Sequence, residues 1–155
     1  MMELDDFFST EFVYEAKVLI DPVRIVIENT PHGNRRIIRI TGGSFKGPRI
    51  QGIVLPGGAD WQLLRADGVN ELDARYAMQT HDGVPIHVRN RVLSRSEPES
   101  TDPFSPGFYR RSVLSFEAPL ECAYSWLNKS VFLGTLTPAT TEHEVAVILR
   151  AWKLL

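Results

Sequence analysis

The segment from Gly42 to Asn90 constrains the fold more than any other part of this sequence. Its short apolar stretches are separated by one Pro-Gly-Gly and two Asp-Gly turn signals, a pattern typical of antiparallel strands joined by tight turns. Comparable strand patterns precede and follow it, and no stretch shows a sustained helical period. We therefore predict an all-β chain with little helix, folded as an antiparallel up-and-down β-barrel of about eight to ten strands. A β-sandwich is the alternative, but a barrel leaves fewer strand edges exposed.

Length and charge narrow the class of protein. The chain has 155 residues, 43% of them hydrophobic, and a formal net charge of -2. We expect one domain, residues 1–155, with no general attraction to nucleic acid or to an anionic membrane. The acidic N-terminus lacks the features of a secretory signal, and the single Cys122 allows no internal disulfide, so the expected location is cytoplasmic.

Two segments interrupt the regular strand pattern. The stretch from Ser94 to Gly107 is rich in Ser, Pro and acidic residues and is long for a connection in a compact domain. It is therefore predicted to be a lid or a loosely packed excursion. The stretch from Ala123 to Lys129 is compatible with a helical turn or with part of a strand.

The turns also predict which residues face each other in two central hairpins. A two-residue Asp67-Gly68 loop would place Trp61 opposite Ala74. A three-residue loop from His81 to Gly83 would place Tyr76 opposite Val88. One sheet face then carries Trp61, Leu63, Leu72, Ala74, Tyr76, Met78, Ile86, Val88 and Asn90. The other face carries Asp60, Gln62, Asp73, Arg75, His87, Arg89 and Arg91.

The apolar face is expected to point into the barrel, because charged side chains are rarely buried. Trp61, Tyr76 and Asn90 would then line an otherwise apolar lumen, with Asp60 at its rim. The inverse arrangement stays open, and it would place two carboxylates, three arginines and a histidine inside the barrel as an acid–base and anion site.

Several short motifs resemble one protein family. They are Gly42 to Pro48, Gly57 to Trp61, Asp67-Gly68, Leu72 to Tyr76, Thr80, Asp82-Gly83, Val88 to Asn90 and Trp126 to Asn128. Together they resemble the family known as domain of unknown function 3237, and the resemblance covers most of the chain. It implies a small β-barrel domain, but no reaction.

The residues themselves suggest a small-molecule site. Asp60 and Tyr76 are the candidate catalytic groups, because a carboxylate and a nearby hydroxyl can move a proton. The candidate ligand-binding residues are Trp61, Asn90, Arg89, Arg75, Asp73, Tyr109 and Glu117. No two of the four histidines share a metal-ligand spacing, so we expect neither a metal nor another cofactor.

Three functions remain open from sequence. The first is a cofactor-free isomerase, cyclase or lyase that acts on a small, partly aromatic metabolite by acid–base chemistry. The second is a non-catalytic protein that binds the same type of ligand. The third is a structural or oligomerisation module, with a homodimer as the expected assembly. The partner in the first two is a small organic ligand.

Overall fold

A computed structural model describes residues 7–155, which contain ten strands and one short 3-10 helix. Residues 1–6, at the start of the predicted domain, lie outside the described part. The strands are β1 (Thr10–Ile20), β2 (Ile25–Thr30), β3 (Gly33–Lys46), β4 (Gln51–Val54), β5 (Ala59–Leu64), β6 (Asn70–Thr80), β7 (Pro85–Ser96), β8 (Phe108–Glu117), β9 (Phe132–Pro138) and β10 (Ala146–Leu154). The helix is Ser125–Lys129, inside the segment for which a helical turn or a strand was open.

The strands close into an antiparallel barrel, as the turn signals predicted. Strands β6 to β10 pair in order, β10 pairs with β1, and β1 pairs with β3. Between β3 and β6 lie both β4 and β5, which occupy one strand position broken around Gly58. The barrel therefore has eight strand positions. This closure pairs strand edges that an open meander would expose.

Strand β2 lies beyond the closed wall. It pairs with the first half of β3 only, on the same edge of β3 that β1 occupies further along. Its residues are mostly exposed. The hairpin of β2 and β3 therefore extends the sheet past one end of the barrel.

Aromatic side chains fill the other end of the barrel. Tyr14 packs edge-to-face against Phe45 and Phe116, and Phe116 packs in the same way against Phe132. Above them lies the segment 118–130, which contains the 3-10 helix and buries Leu127. Such edge-to-face packing suits the charge distribution of aromatic rings. We call this part of the molecule the capped end.

Polar contacts hold the segment 118–130 in place. The Tyr124 hydroxyl donates to Asp82 in the β6–β7 turn at 2.7 Å, and Arg49 lies 4.1 Å from the centre of the Trp126 ring. The Asn128 side chain bonds both backbone groups of Ala118. The segment therefore bridges two turns and closes this end.

The long segment predicted as a lid or excursion is anchored against β9. Strand β7 continues to Ser96, so the irregular part is shorter than predicted. Ser105 is buried, and its hydroxyl donates to the Leu136 carbonyl at 2.6 Å. The Thr137 hydroxyl donates to the Phe104 carbonyl at the same distance. These contacts make the tip a packed part of the wall.

The register predicted for the β6–β7 hairpin is correct, and the one for β5–β6 is wrong by one residue. Tyr76 pairs with Val88 as expected. In the other hairpin Ala66 belongs to the loop, so Trp61 pairs with Asp73 and not with Ala74. Because a one-residue slip exchanges the two faces of a strand, Asp60 turns into the barrel and Trp61 turns out.

Candidate functional site

A small, largely apolar cavity with one polar side lies inside the barrel, away from the capped end. Its volume is about 90 Å³, and it is partly open. The side chains of Asp60, Gln62, Tyr76 and Asn90, from β5, β6 and β7, line its polar side. The remaining lining is apolar and comes mainly from β1, β3, β9 and β10. The arrangement suits a small ligand with one apolar part and one polar part.

Small residues make room for these polar groups. Ala74 lies between Asp60 and Asn90 in neighbouring strands, so the two side chains face the lumen on either side of a methyl group. Gly58 packs against Tyr76: a Cβ atom at this glycine would lie 2.4 Å from the Tyr76 Cβ and 2.5 Å from the Arg75 carbonyl oxygen. The break between β4 and β5 thus allows the chain to approach Tyr76 closely.

Asp60 is the carboxylate of the cavity. Its Oδ2 accepts a hydrogen bond from Gln62 Nε2 at 2.7 Å, and its Oδ1 accepts one from the Asp73 backbone N–H at 3.1 Å. Burial raises the pKa of the Asp60 carboxyl, although both hydrogen bonds and the charge of Arg36 act to lower it. Asp60 is therefore easier to protonate than an ordinary aspartate.

Two buried tyrosines lie next to each other in the lumen. Burial raises the pKa of both Tyr14 and Tyr76, and each hydroxyl is close enough to affect the pKa of the other. Neither hydroxyl has a hydrogen-bond partner at good geometry within residues 7–155. Both hydroxyls therefore stay protonated at neutral pH.

Two side-chain amides complete the polar wall. Gln62 and Asn90 are 6% and 4% exposed, and each has a side-chain oxygen without a hydrogen-bond partner in the described part of the chain. An unpaired buried polar atom costs roughly 1–3 kcal/mol. Both residues line the cavity, as does Tyr76, whose hydroxyl also lacks a partner at good geometry within residues 7–155.

The raised pKa of Asp60 predicts a stability effect. A folded-state pKa above the unfolded value means that the charged carboxylate destabilises the fold, and this cost disappears as pH falls through the folded-state pKa. We expect Asp60→Asn to raise Tm at neutral pH by roughly 2–4 °C, equivalent to about 1 kcal/mol. Thermal denaturation from neutral to acidic pH should show this gain shrinking.

Asp67→Asn is the control for that experiment. Asp67 is an exposed turn carboxylate whose pKa is lowered by its hydrogen bond from Arg65, so its replacement should bring no gain at neutral pH. An Asp60→Asn gain that does not depend on pH would contradict the assigned cause.

The other charged residues predicted for the site lie outside the barrel. Asp73 accepts two hydrogen bonds from Arg89, at 3.0 and 2.9 Å, and lies 3.7 Å from Arg75. The hydrogen bonds from Arg89 lower the pKa of Asp73. Trp61 is 53% exposed beside them. These four residues therefore form an outer cluster that does not share the cavity with Asp60.

The last two predicted ligand-binding residues are also separated from the lumen. The Tyr109 ring is covered by Arg95, whose guanidinium carbon lies 4.6 Å from the ring centre. Glu117 is largely exposed and contacts His87 at 3.0 Å. The predicted set thus divides, with Asp60, Tyr76 and Asn90 inside the barrel and the others on its outer surface.

Sequence analysis missed Gln62 and Tyr14 as parts of the inner wall. Gln62 was assigned to the outer face by the same register error that misplaced Asp60. Tyr14 lies in a regularly alternating strand, and its position beside Tyr76 depends on barrel closure between β1 and β3. Predicting the position of Gln62 requires the correct loop length. Predicting the position of Tyr14 requires knowledge of how the barrel closes.

Two further properties concern residues 7–155 as a whole. No group of three or more His, Cys, Asp or Glu side chains in this range is arranged to hold a metal ion. In the same range no helix has both the length and the apolar character needed to cross a bilayer.

The fold and the cavity define a small closed β-barrel with a largely apolar pocket in its lumen that carries a few polar side chains. A family model described as "Protein of unknown function (DUF3237)" matches residues 8–154, and the chain belongs to this family. A UPF0311 protein of Rhodopseudomonas palustris is 40% identical over 114 residues, which is 66% of this chain and 71% of that protein.

Solved structures share the barrel along nearly the whole chain. A β-barrel-like protein of Acinetobacter baumannii has a TM-score of 0.83 and 29% identity, with 96% of each chain covered. An enzyme from Penicillium herquei has a TM-score of 0.70 and 25% identity, covering 96% of this chain and 95% of its own. The barrel and the enzyme neighbour are compatible with ligand binding.

Proposed function

We propose that the protein is a cofactor-free acid–base enzyme, an isomerase, cyclase or lyase that acts on a small, partly aromatic metabolite inside the barrel. The observation that carries the proposal is the partly buried Asp60 carboxylate, which lines a cavity together with Gln62, Tyr76 and Asn90. Each of these three residues has a buried polar atom without a partner among residues 7–155. Buried polar atoms without partners are few in native proteins, and a ligand that bonds them is one explanation for a group of them around a cavity.

Asp60 would act as the general base. Its raised pKa brings it closer to the working pH, where a base abstracts protons most effectively. The carboxylate takes a proton from an acidic C–H group of the substrate, and the electron pair of that bond moves into an adjacent carbonyl to form an enolate. The protonated Asp60 can then return the proton to another atom of the same molecule.

Tyr76 and Asn90 would hold the oxygen that becomes negative. The raised pKa of Tyr76 keeps its hydroxyl protonated, so the hydroxyl can donate to an enolate oxygen. Donors already fixed in a water-poor site stabilise developing charge more than donors in water do. The Asn90 side-chain amide faces the same cavity from the neighbouring strand.

The apolar side of the cavity supports the ligand class. Val18, Ile38, Ile40, Leu136 and Leu149 supply much of the apolar lining, and Ile38 is the strand partner of Asp60. Such a surface suits a planar ring or a short hydrocarbon part. The cavity of about 90 Å³ favours a compact molecule whose substituents extend toward the opening. The similarity to the Penicillium herquei enzyme adds support for catalysis in this barrel.

The test measures proton exchange. Acetophenone, 1-indanone and 2-indanone are incubated with the protein in D₂O, and loss of the α-proton signal is followed by NMR. We expect faster exchange than in buffer for at least one ketone. Binding detected by saturation-transfer NMR without faster exchange would instead favour the non-catalytic ligand-binding protein. Neither binding nor exchange would contradict a lumen site for this ligand class.

Tyr76→Phe should separate catalysis from folding. It removes a hydroxyl that has no partner within residues 7–155, so we expect an unchanged or slightly higher Tm. Exchange should slow by more than tenfold if the hydroxyl stabilises the enolate. In a protein that only binds, affinity should fall by about 1 kcal/mol, as for one lost hydrogen bond.

Tyr124→Phe is the matched control for Tyr76→Phe. It removes a hydroxyl that bonds Asp82 at the capped end, away from the cavity. Its exchange rate should stay at the wild-type level, while its Tm should fall. If Tyr76→Phe left both exchange and affinity unchanged, the role proposed for Tyr76 would be wrong.

A further inference from the structure

Strand β2 has one free edge. It pairs with β3 on one side, and no other strand of the described chain pairs with its second side. Ile25, Val26 and Ile27 are 45%, 51% and 48% exposed. An exposed apolar edge strand is a template for pairing with another strand, and natural proteins usually protect such edges. This one is not covered by any other segment of residues 7–155.

The sequence at this edge is complementary to itself. It reads Arg24-Ile25-Val26-Ile27-Glu28. If two copies pair antiparallel about an axis at Val26, Arg24 of one copy lies opposite Glu28 of the other, and the same contact occurs twice. Residues directly opposite in an antiparallel pair point to the same face, so each ion pair flanks the central valines.

The charged residues at the two ends of the segment Arg24 to Glu28 are free to pair with another chain. Neither Arg24 nor Glu28 forms an ion pair within residues 7–155. Arg24, the residue before β2, instead lies close enough to Arg36 for the two positive charges to repel each other. Burial, followed by the charge of Arg24, lowers the pKa of Arg36. A carboxylate opposite Arg24 would offset this repulsion.

The other face of β2 is apolar. Ile25 pairs with Ile37 of β3, and Ile37 pairs with Trp61 of β5. These three side chains lie on one face of the extended sheet, together with Ile27. In the antiparallel arrangement Ile25 of one copy lies opposite Ile27 of the other. The apolar surface would then continue across the junction, and its burial would favour pairing.

We propose that β2 is a homodimer interface in which two copies pair antiparallel about a twofold axis at Val26. The two barrels then share one continuous sheet through β3 and β2 of each copy. A second copy is favoured because the segment Arg24 to Glu28 supplies both members of each ion pair when it pairs with itself in this register. Such a twofold contact uses the same residues on both subunits, so each substitution acts twice.

Charge reversal tests the register. Sedimentation velocity at submillimolar concentration should show a wild-type dimer that weakens at high salt. Arg24→Glu places two glutamates opposite each other at both ends of the interface, and Glu28→Arg does the same with two arginines. Each single variant should raise the dissociation constant by at least tenfold.

The twofold symmetry predicts two combinations of these substitutions that restore dimer formation. A mixture of the Arg24→Glu and Glu28→Arg proteins should form a heterodimer, because every opposed pair again has opposite charges. The double variant with both changes in one chain should dimerise like the wild type. Neither restoration is expected if the substitutions simply damage folding, and circular dichroism should be native for all variants.

Glu99→Arg serves as the charge control. Glu99 is exposed, lies outside β2 and forms no ion pair in the described chain, so this variant should sediment like the wild type. A monomeric wild type would overturn the proposal. So would a dimer that the single reversals do not weaken, or single variants that fail to pair when mixed. These readouts do not depend on any ligand in the lumen.

Discussion

Asp60→Asn is expected to slow α-proton exchange by roughly 10²–10⁴-fold, the usual contribution of a positioned acid or base. The amide cannot accept the proton, but it has nearly the same shape as the carboxylate. Its oxygen can keep the hydrogen bond from the Asp73 N–H. If the side-chain amide of Gln62 rotates by half a turn, its unpaired Oε1 can accept a hydrogen bond from the side-chain nitrogen of the new asparagine. The fold should therefore survive, and NMR exchange rates with the ketone panel measure the loss.

Asp73→Asn provides the comparison from the other face of the sheet. Asp73 is held by Arg89 on the outer surface, and its side chain does not line the inner cavity. We expect this variant to keep most of the exchange rate. If exchange depended on Asp73 and not on Asp60, the reaction would have to be reassigned to the outer cluster.

The second large effect is expected at Gly58, where alanine should lower the free energy of unfolding by about 1–3 kcal/mol. The new Cβ would lie 2.4 Å from the Tyr76 Cβ and 2.5 Å from the Arg75 carbonyl oxygen, so the strands must separate. Because a chain of this size loses about 2–4 °C per kcal/mol, thermal denaturation should detect the change. NMR signals of the cavity residues should also shift.

Gly57→Ala is the neighbouring control. A Cβ at Gly57 would meet no atom within 4 Å, but its φ of +110° is unfavourable for alanine. This variant should lose stability through backbone strain alone, and the cavity signals should stay in place. Equal shifts of those signals in both variants would contradict the role assigned to the contact between Gly58 and Tyr76.

The turn signals predicted the barrel but not every register within it. Loops 66–68 and 81–83 both have three residues, and both end with Asp followed by a glycine at a φ near +87°. For loop 81–83, the shorter alternative would have mixed apolar and charged residues on each face. For loop 66–68, the two-residue Asp67-Gly68 interpretation placed apolar and charged residues on opposite faces, in line with the expectation that the apolar face points inward.

That criterion failed because the lumen contains an ionisable group. The true register turns Asp60 into the lumen, buries Gln62 and exposes Trp61, which a rule based on burial of apolar residues disfavours. Departures from such local rules are expected at functional sites. Asp73 and Arg89 were predicted as ligand-binding residues, and in the structure they form a partly exposed ion pair on the outer surface.

The capped end has a kinetic consequence for the proposed enzyme. Segment 118–130 and the aromatic rings beneath it close one end of the barrel, so a molecule that reaches Asp60 must enter and leave on the opposite side. Substrate and product cannot pass each other in so small a space. Product that has not yet left occupies the position of the next substrate, which makes the product a competitive inhibitor.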